Sequence, residues 1–171
     1  MEQGARGREQ GARDGEPGFR RIIAWQRADD LASAVYRMAD SIPHRDRWLR
    51  SQLLSATLSV SSNIAEGHGR GTLRDYIRFL EIAISSLNEV ESQLHFIRRN
   101  EIVDSALIEA IDPTRIEVGK LLTGLLRAMR ARLNEGGDWQ RHKVSDARGE
   151  YRAEVDDLFM DEQDWLPAPG S

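Results

Sequence analysis

Cysteine is absent from the 171 residues. That excludes disulfides and cysteine-based zinc sites, and it fits a reducing compartment. No apolar run approaches the roughly 20 residues that a membrane-spanning helix needs. Met1 to Gly18 is rich in Gly, Arg and Glu without an apolar stretch, so it does not resemble a secretory signal and reads as a disordered lead-in. These absences predict a cytoplasmic protein with no membrane partner. Chemical motifs are missing too. A two-metal carboxylate site in a helix bundle needs Glu-x-x-His on two helices; here Glu91 and His95 are four apart and no second such pair exists. Gly67-His68-Gly69-Arg70-Gly71 lacks the Lys-Ser/Thr of a phosphate-binding loop and follows no strand. Four scattered histidines support no Ser/His/Asp arrangement. The reading is recognition rather than catalysis: not an enzyme, with no catalytic residue, cofactor or metal.

What is present is helical periodicity. The length favours one domain, and 40% hydrophobic content is enough for one core. Ala24, Ala28, Leu31, Val35, Met38 and Ile42 alternate four-three spacing, which predicts a first helix from about Ile22 to before Pro43, with Trp25, Ala32, Tyr36 and Ala39 widening its apolar arc. A second helix, about Arg47 to Glu66, carries one apolar line through Leu49, Leu53, Ala56, Val60 and Ile64, and another through Leu54, Leu58 and Ala65. Its third side shows Ser51, Ser55, Ser59 and Ser62. Two apolar lines fit either a central helix in a compact monomer or a subunit interface where small serines allow close approach.

Gly67, Gly69 and Gly71 are expected to stop this helix, glycine taking the left-handed conformation other residues resist. So short a link folds the second and third helices back on each other. Thr72 and Asp75 resemble a capping box opening the third helix, which runs to about Arg99. Projection puts Glu91 inside that helix's apolar arc, so it needs a partner; His95 and Arg98 are within reach. A helical turn at Ser105 to Ile111 precedes a fourth helix from Thr114, where Glu117 completes another capping-box pattern. Gly136-Gly137 closes the globular part. The expected architecture is an all-α, antiparallel up-down four-helix bundle over residues 19–133, between a lead-in at 1–18 and a tail at 134–171.

Charge is unevenly distributed. Phe19 to Leu133 holds 17 Lys and Arg against 14 Asp and Glu, a net +3, whereas Asn134 to Ser171 holds 4 against 10, a net −6. Tyr151, Val155, Leu158, Phe159 and Trp165 recur at near-helical spacing in that acidic tail, which reads either as disorder or as a short docking helix. Arg70, Arg74 and Arg78 group at the start of the third helix, and Lys120, Arg127 and Arg130 line one side of the fourth. Such groups neutralise phosphate, though helices need charged outer faces anyway. His68 and Arg70 could also meet phosphate from the turn.

Several segments resemble one family. Asn63, Glu66, Gly67, Gly69 and Arg70 stand in Ser62-Asn63-Ile64-Ala65-Glu66-Gly67-x-Gly69-Arg70, which is similar to the signature of bacterial four-helix-bundle proteins encoded in large-subunit rRNA intervening sequences. Their relatives include the accessory variability protein of diversity-generating retroelements. Ala24-Trp25-Gln26-Arg27-Ala28 resembles that family's opening segment, and the stretch with Ser86, Glu89 and Gln93 resembles its third helix. The resemblance implies a ring-shaped homopentamer, and for the retroelement branch binding of RNA or DNA and of a reverse transcriptase. Ser85 stands where the family usually has glycine, and the acidic extension has no counterpart in the compact family core. The expected function is therefore a homo-oligomeric bundle binding structured nucleic acid; the alternative is a protein-interaction scaffold acting through its acidic tail.

Overall fold

The computed structural model describes residues 18–136; the lead-in before them, and the tail after them with its candidate docking helix, lie outside the described residues. A 3-10 turn, Gly18–Arg21, leads into α1 (Ile23–Ala39). Then follow α2 (Arg47–Gly69), α3 (Leu73–Arg99), the single turn α4 (Ser105–Glu109) and α5 (Asp112–Asn134). Pairs of contacts set the directions. Asp40 meets Arg50 and Gly18 approaches His68 across α1 and α2. Trp48 meets Phe96 and Gly67 approaches Phe79 across α2 and α3, while Arg98 meets Asp112 and Arg130 meets Glu81 across α3 and α5. Each long helix thus runs antiparallel to its predecessor, and α5 packs back on α1 through Arg27 and Glu117. The described residues form an all-α, antiparallel up-down four-helix bundle.

The seam on α1 is buried as its spacing requires: Ala24, Ala28, Leu31 and Val35 are fully enclosed and Met38 nearly so. They meet Leu49, Leu53, Val60 and Ile64 of α2, Tyr76, Leu80, Val90 and Ile97 of α3, and Val118 and Leu122 of α5 in one core. Removing such side chains from water, at about 25 cal/mol per Å² of apolar surface, is the main force holding the four helices together. The α2–α3 hairpin forms the most extensive contact.

Helix ends differ from the sequence expectation in instructive ways. α1 stops at Ala39, three residues before Ile42. Ser41 and Ile42 donate instead to Met38 and Ala39 in tighter i→i−3 bonds, and Ile42 turns into the core. α5 starts at Asp112 with Pro113 in its first turn, where the missing N–H costs nothing. The Thr114–Glu117 box is accordingly not formed; Glu117 pairs with Arg27. Tyr36, placed in the α1 arc by its spacing, is 59% exposed.

The α3 cap forms at Thr72 as expected, but Asp75 completes it through the Thr72 hydroxyl rather than the Thr72 backbone N–H. Thr72 Oγ1 accepts from the Asp75 N–H at 3.1 Å and donates to the Asp75 carboxylate at 2.7 Å. Thr72→Ala is expected to cost about 1 kcal/mol, read as a lower denaturant midpoint at unchanged slope.

Candidate nucleic-acid interface

The turn end of the α2–α3 hairpin is built around close approach. α2 does not stop at Glu66; it continues through Gly67, His68 and Gly69, and Arg70 ends it in extended backbone (φ −74°, ψ 154°). The expectation that these glycines supply left-handed backbone is therefore corrected: among the described residues only Glu101 and Gly136 have positive φ. Gly67 is small for another reason. A Cβ there would lie 2.6 Å from Phe79 Cβ and 2.8 Å from Tyr76 Cδ2, so α3 packs on bare backbone. Gly69 and Gly71 face open space, whereas Gly136 (φ 72°) does end α5 in the left-handed conformation. Burial pushes the Tyr76 phenol well above the ordinary tyrosine value, so the ring beside Gly67 stays neutral.

Two other motif residues meet through Ser59, one of the four serines on the third side of α2. Ser59 points at α3 and bonds Ser86 at 3.0 Å. Asn63 donates to Ser59 Oγ at 2.9 Å and to the Ser59 carbonyl at 2.7 Å. This network fixes the hairpin's register from within a half-buried seam. Glu66 pairs with Arg70, whose guanidinium also lies 4.9 Å from the Phe79 ring centroid. Glu89 accepts from Gln93 at 3.0 Å. Motif residues Asn63, Glu66, Gly67, Arg70 and Ser86 thus hold the hairpin together.

The basic groups divide into engaged and free. Arg74 and Arg78 are exposed on the outer side of α3, and Arg127 on the outer side of α5. None of the three has an acidic partner among the described residues. Arg130, between them, donates to Glu81 at 2.7 Å, and Lys120 is half-buried two turns before Arg127. The Glu81–Arg130 bridge brings the α3 and α5 groups onto one surface, which the separation of its two ends by 49 residues in sequence did not reveal. Glu91 does not sit in the core; its exposed carboxylate accepts from Arg115 at 2.8 Å. Arg115, 13% exposed, also bonds Asp112, which pairs in turn with Arg98. The partner comes from α5 because Glu91 lies at the edge of the arc, where that helix packs.

A second surface was only partly legible. α2 turns the exposed Ser51, Ser55 and Ser62 outward. On the α1 side of this line lie Tyr36, half-buried Leu54 and Leu58, which is 55% exposed. On the α3 side lie Trp48 (52% exposed), Phe96 (44%) and Ile82 (38%), the two rings in edge contact at 6.4 Å. Ile82 and Phe96 fall outside the core arc of α3, and that misfit was the available signal. Large apolar side chains thus flank a stripe of small ones on this exposed face.

Residues 20–124 match the 23S rRNA-intervening sequence protein family. The chain belongs to that family. A solved structure of a protein with unknown function from the S23 ribosomal protein family of Bacteroides thetaiotaomicron has the same fold: TM-score 0.58 at 22% identity, over 63% of this chain and 97% of that one. No curated protein matches. The match to the intervening-sequence family ends inside α5, so the acidic tail lies beyond it, as does Arg127. Among the described residues of this family member, no helix is long and apolar enough to cross a membrane.

Proposed function

We propose that this intervening-sequence family member is a non-enzymatic, cytoplasmic homo-oligomer that binds structured RNA through the outer surface of α3 and α5. The observation that carries this reading is the placement of Arg74, Arg78 and Arg127, exposed and without acidic partners among the described residues, on either side of Arg130. Glu81 is engaged by Arg130 and Glu66 by Arg70, while Asp75 bonds Thr72, so the three unpaired guanidiniums outnumber the one acid among them that lacks an arginine partner. Such a surface reads phosphate rather than bases, and the family's name favours RNA as the source of that phosphate. Arg70 and Lys120 border the surface, and DNA of similar groove geometry would compete. Self-association through the outer face of α2, in a ring of five subunits, would repeat the basic surface and multiply weak contacts into avidity. A reverse transcriptase is the partner that the retroelement branch suggests.

The test is anisotropy of a fluorescein-labelled RNA hairpin across a salt series. Wild type should bind, with log affinity falling linearly against log salt. Replacing Arg74, Arg78 and Arg127 together by alanine should weaken binding by on the order of tenfold or more at low salt and reduce the slope by about 3. No binding by wild type even in low salt, or an unchanged slope in the triple variant, overturns the reading.

A further inference from the structure

The basic surface lies at one end of the bundle, and the chain leaves the described structure at that same end. α5 runs antiparallel to α3, with Arg98 beside Asp112, Leu87 Cδ2 near Gly119 and Glu81 beside Arg130. Continuing that register brings Asn134 to Gly136 level with Thr72 to Arg74. The residues that follow, 137–171, carry nine Asp and Glu against four Lys and Arg. The imbalance is steepest late: Glu154, Asp156, Asp157, Asp161, Glu162 and Asp164 are followed or interrupted by no basic residue up to Ser171.

We infer that this late acidic segment, residues 154–164, docks on the surface formed by Arg74, Arg78 and Arg127 of its own chain and competes there with RNA phosphate. Reach permits it. The 17 residues between Gly136 and Glu154 extend to about 55 Å, whereas the whole of α3 is about 40 Å long. Tethering permits it as well, because a segment on a short linker meets its target at an effective concentration on the order of millimolar, where even weak ion pairing is populated. The chemistry matches: exposed guanidiniums lacking partners face carboxylates lacking basic neighbours. Competition with RNA rests on the proposed function, but the docking does not. A segment that covers the surface nine-tenths of the time lowers apparent RNA affinity about tenfold.

Because the chain has no cysteine, two introduced thiols can be labelled alone. Ser85, exposed on the outer side of α3 two turns beyond Arg78, and Ser171 are each replaced by cysteine in the full chain and labelled as a Förster pair. The labelled chain is then diluted with excess unlabelled chain. Energy transfer should be high in low salt and fall by at least half at about 0.5 M salt, where the Debye length drops below about 5 Å. It should fall equally in low salt when the six carboxylates are changed to amides. Transfer indifferent to both overturns docking. Transfer lost on dilution assigns the segment to a neighbouring subunit and overturns the same-chain form. Adding the RNA hairpin should displace the segment, and the six-amide variant should bind the hairpin about tenfold tighter. If salt and the amides release the segment while the amide variant shows wild-type RNA affinity, docking stands and the competition is overturned. If no variant binds RNA, the nucleic-acid reading alone fails.

Discussion

Gly67→Ala is expected to destabilise the protein by about 1–3 kcal/mol, the range for overpacking a well-packed core. The sign is not obvious beforehand, because alanine in a helix interior is favoured over glycine by about 1 kcal/mol. Geometry decides it. The new methyl would stand 2.6 Å from Phe79 Cβ, an atom anchored to the α3 backbone, and 2.8 Å from the ring of fully buried Tyr76. Neither neighbour can turn away, so the helices must part, and the neighbouring core contacts loosen. Gly119→Ala is the matched control. Its methyl would meet only Leu87 Cδ2 at 3.5 Å, an ordinary contact, so the helix preference prevails and stability should rise by about 0.5–1 kcal/mol. Urea denaturation of both variants checks the pair. The same substitution moving the midpoint in opposite directions is the expected result; a more stable Gly67→Ala would mean that α2 and α3 do not approach as described.

Leu58→Asp is expected to dissociate the proposed homo-oligomer while leaving each subunit folded. Leu58 is 55% exposed within one chain, so the substitution removes little from the core. At a subunit contact the same change forfeits about 1.5–3 kcal/mol of apolar burial and adds a carboxylate that must lose its water. Every 1.4 kcal/mol is about a tenfold change in dissociation constant, and a closed ring suffers the loss at each contact. The flanking Tyr36 and Trp48, both exposed in one chain, would be the aromatic anchors of the proposed interface. Sedimentation equilibrium at micromolar concentration, with circular dichroism to confirm helix content, reads both halves of the prediction. Wild-type protein that is already monomeric there would refute the assembly.

The contrast between the two glycine-rich readings shows where sequence reasoning reached and where it ended. Helical spacing identified four long amphipathic segments, and the α1 seam, the α3 cap at Thr72 and the stop at Gly136 fall where local rules place them. Local rules also misassigned Gly67, since a glycine near a helix end satisfies both a stop and a close packing, and only the position of Phe79 separates them. Ser59 was likewise grouped with Ser51, Ser55 and Ser62, and only the position of Ser86 sets it apart. Glu91 found its partner 24 residues away in Arg115, beyond any helical-reach argument.

The chain's own residue order therefore determined which segments are helices, which face of each is apolar, and that the bundle is up-down, because periodicity and short links are properties of neighbouring residues. Tertiary structure alone decided that Arg74, Arg78 and Arg127 share a surface, that Asn63 and Ser86 meet through Ser59, and that Tyr36, Trp48 and Leu58 remain outside the core. The physical reason is that such groupings depend on how far one helix is turned and shifted against the next. That relative placement is settled by the packing of whole side chains across the bundle rather than by the spacing of residues along it.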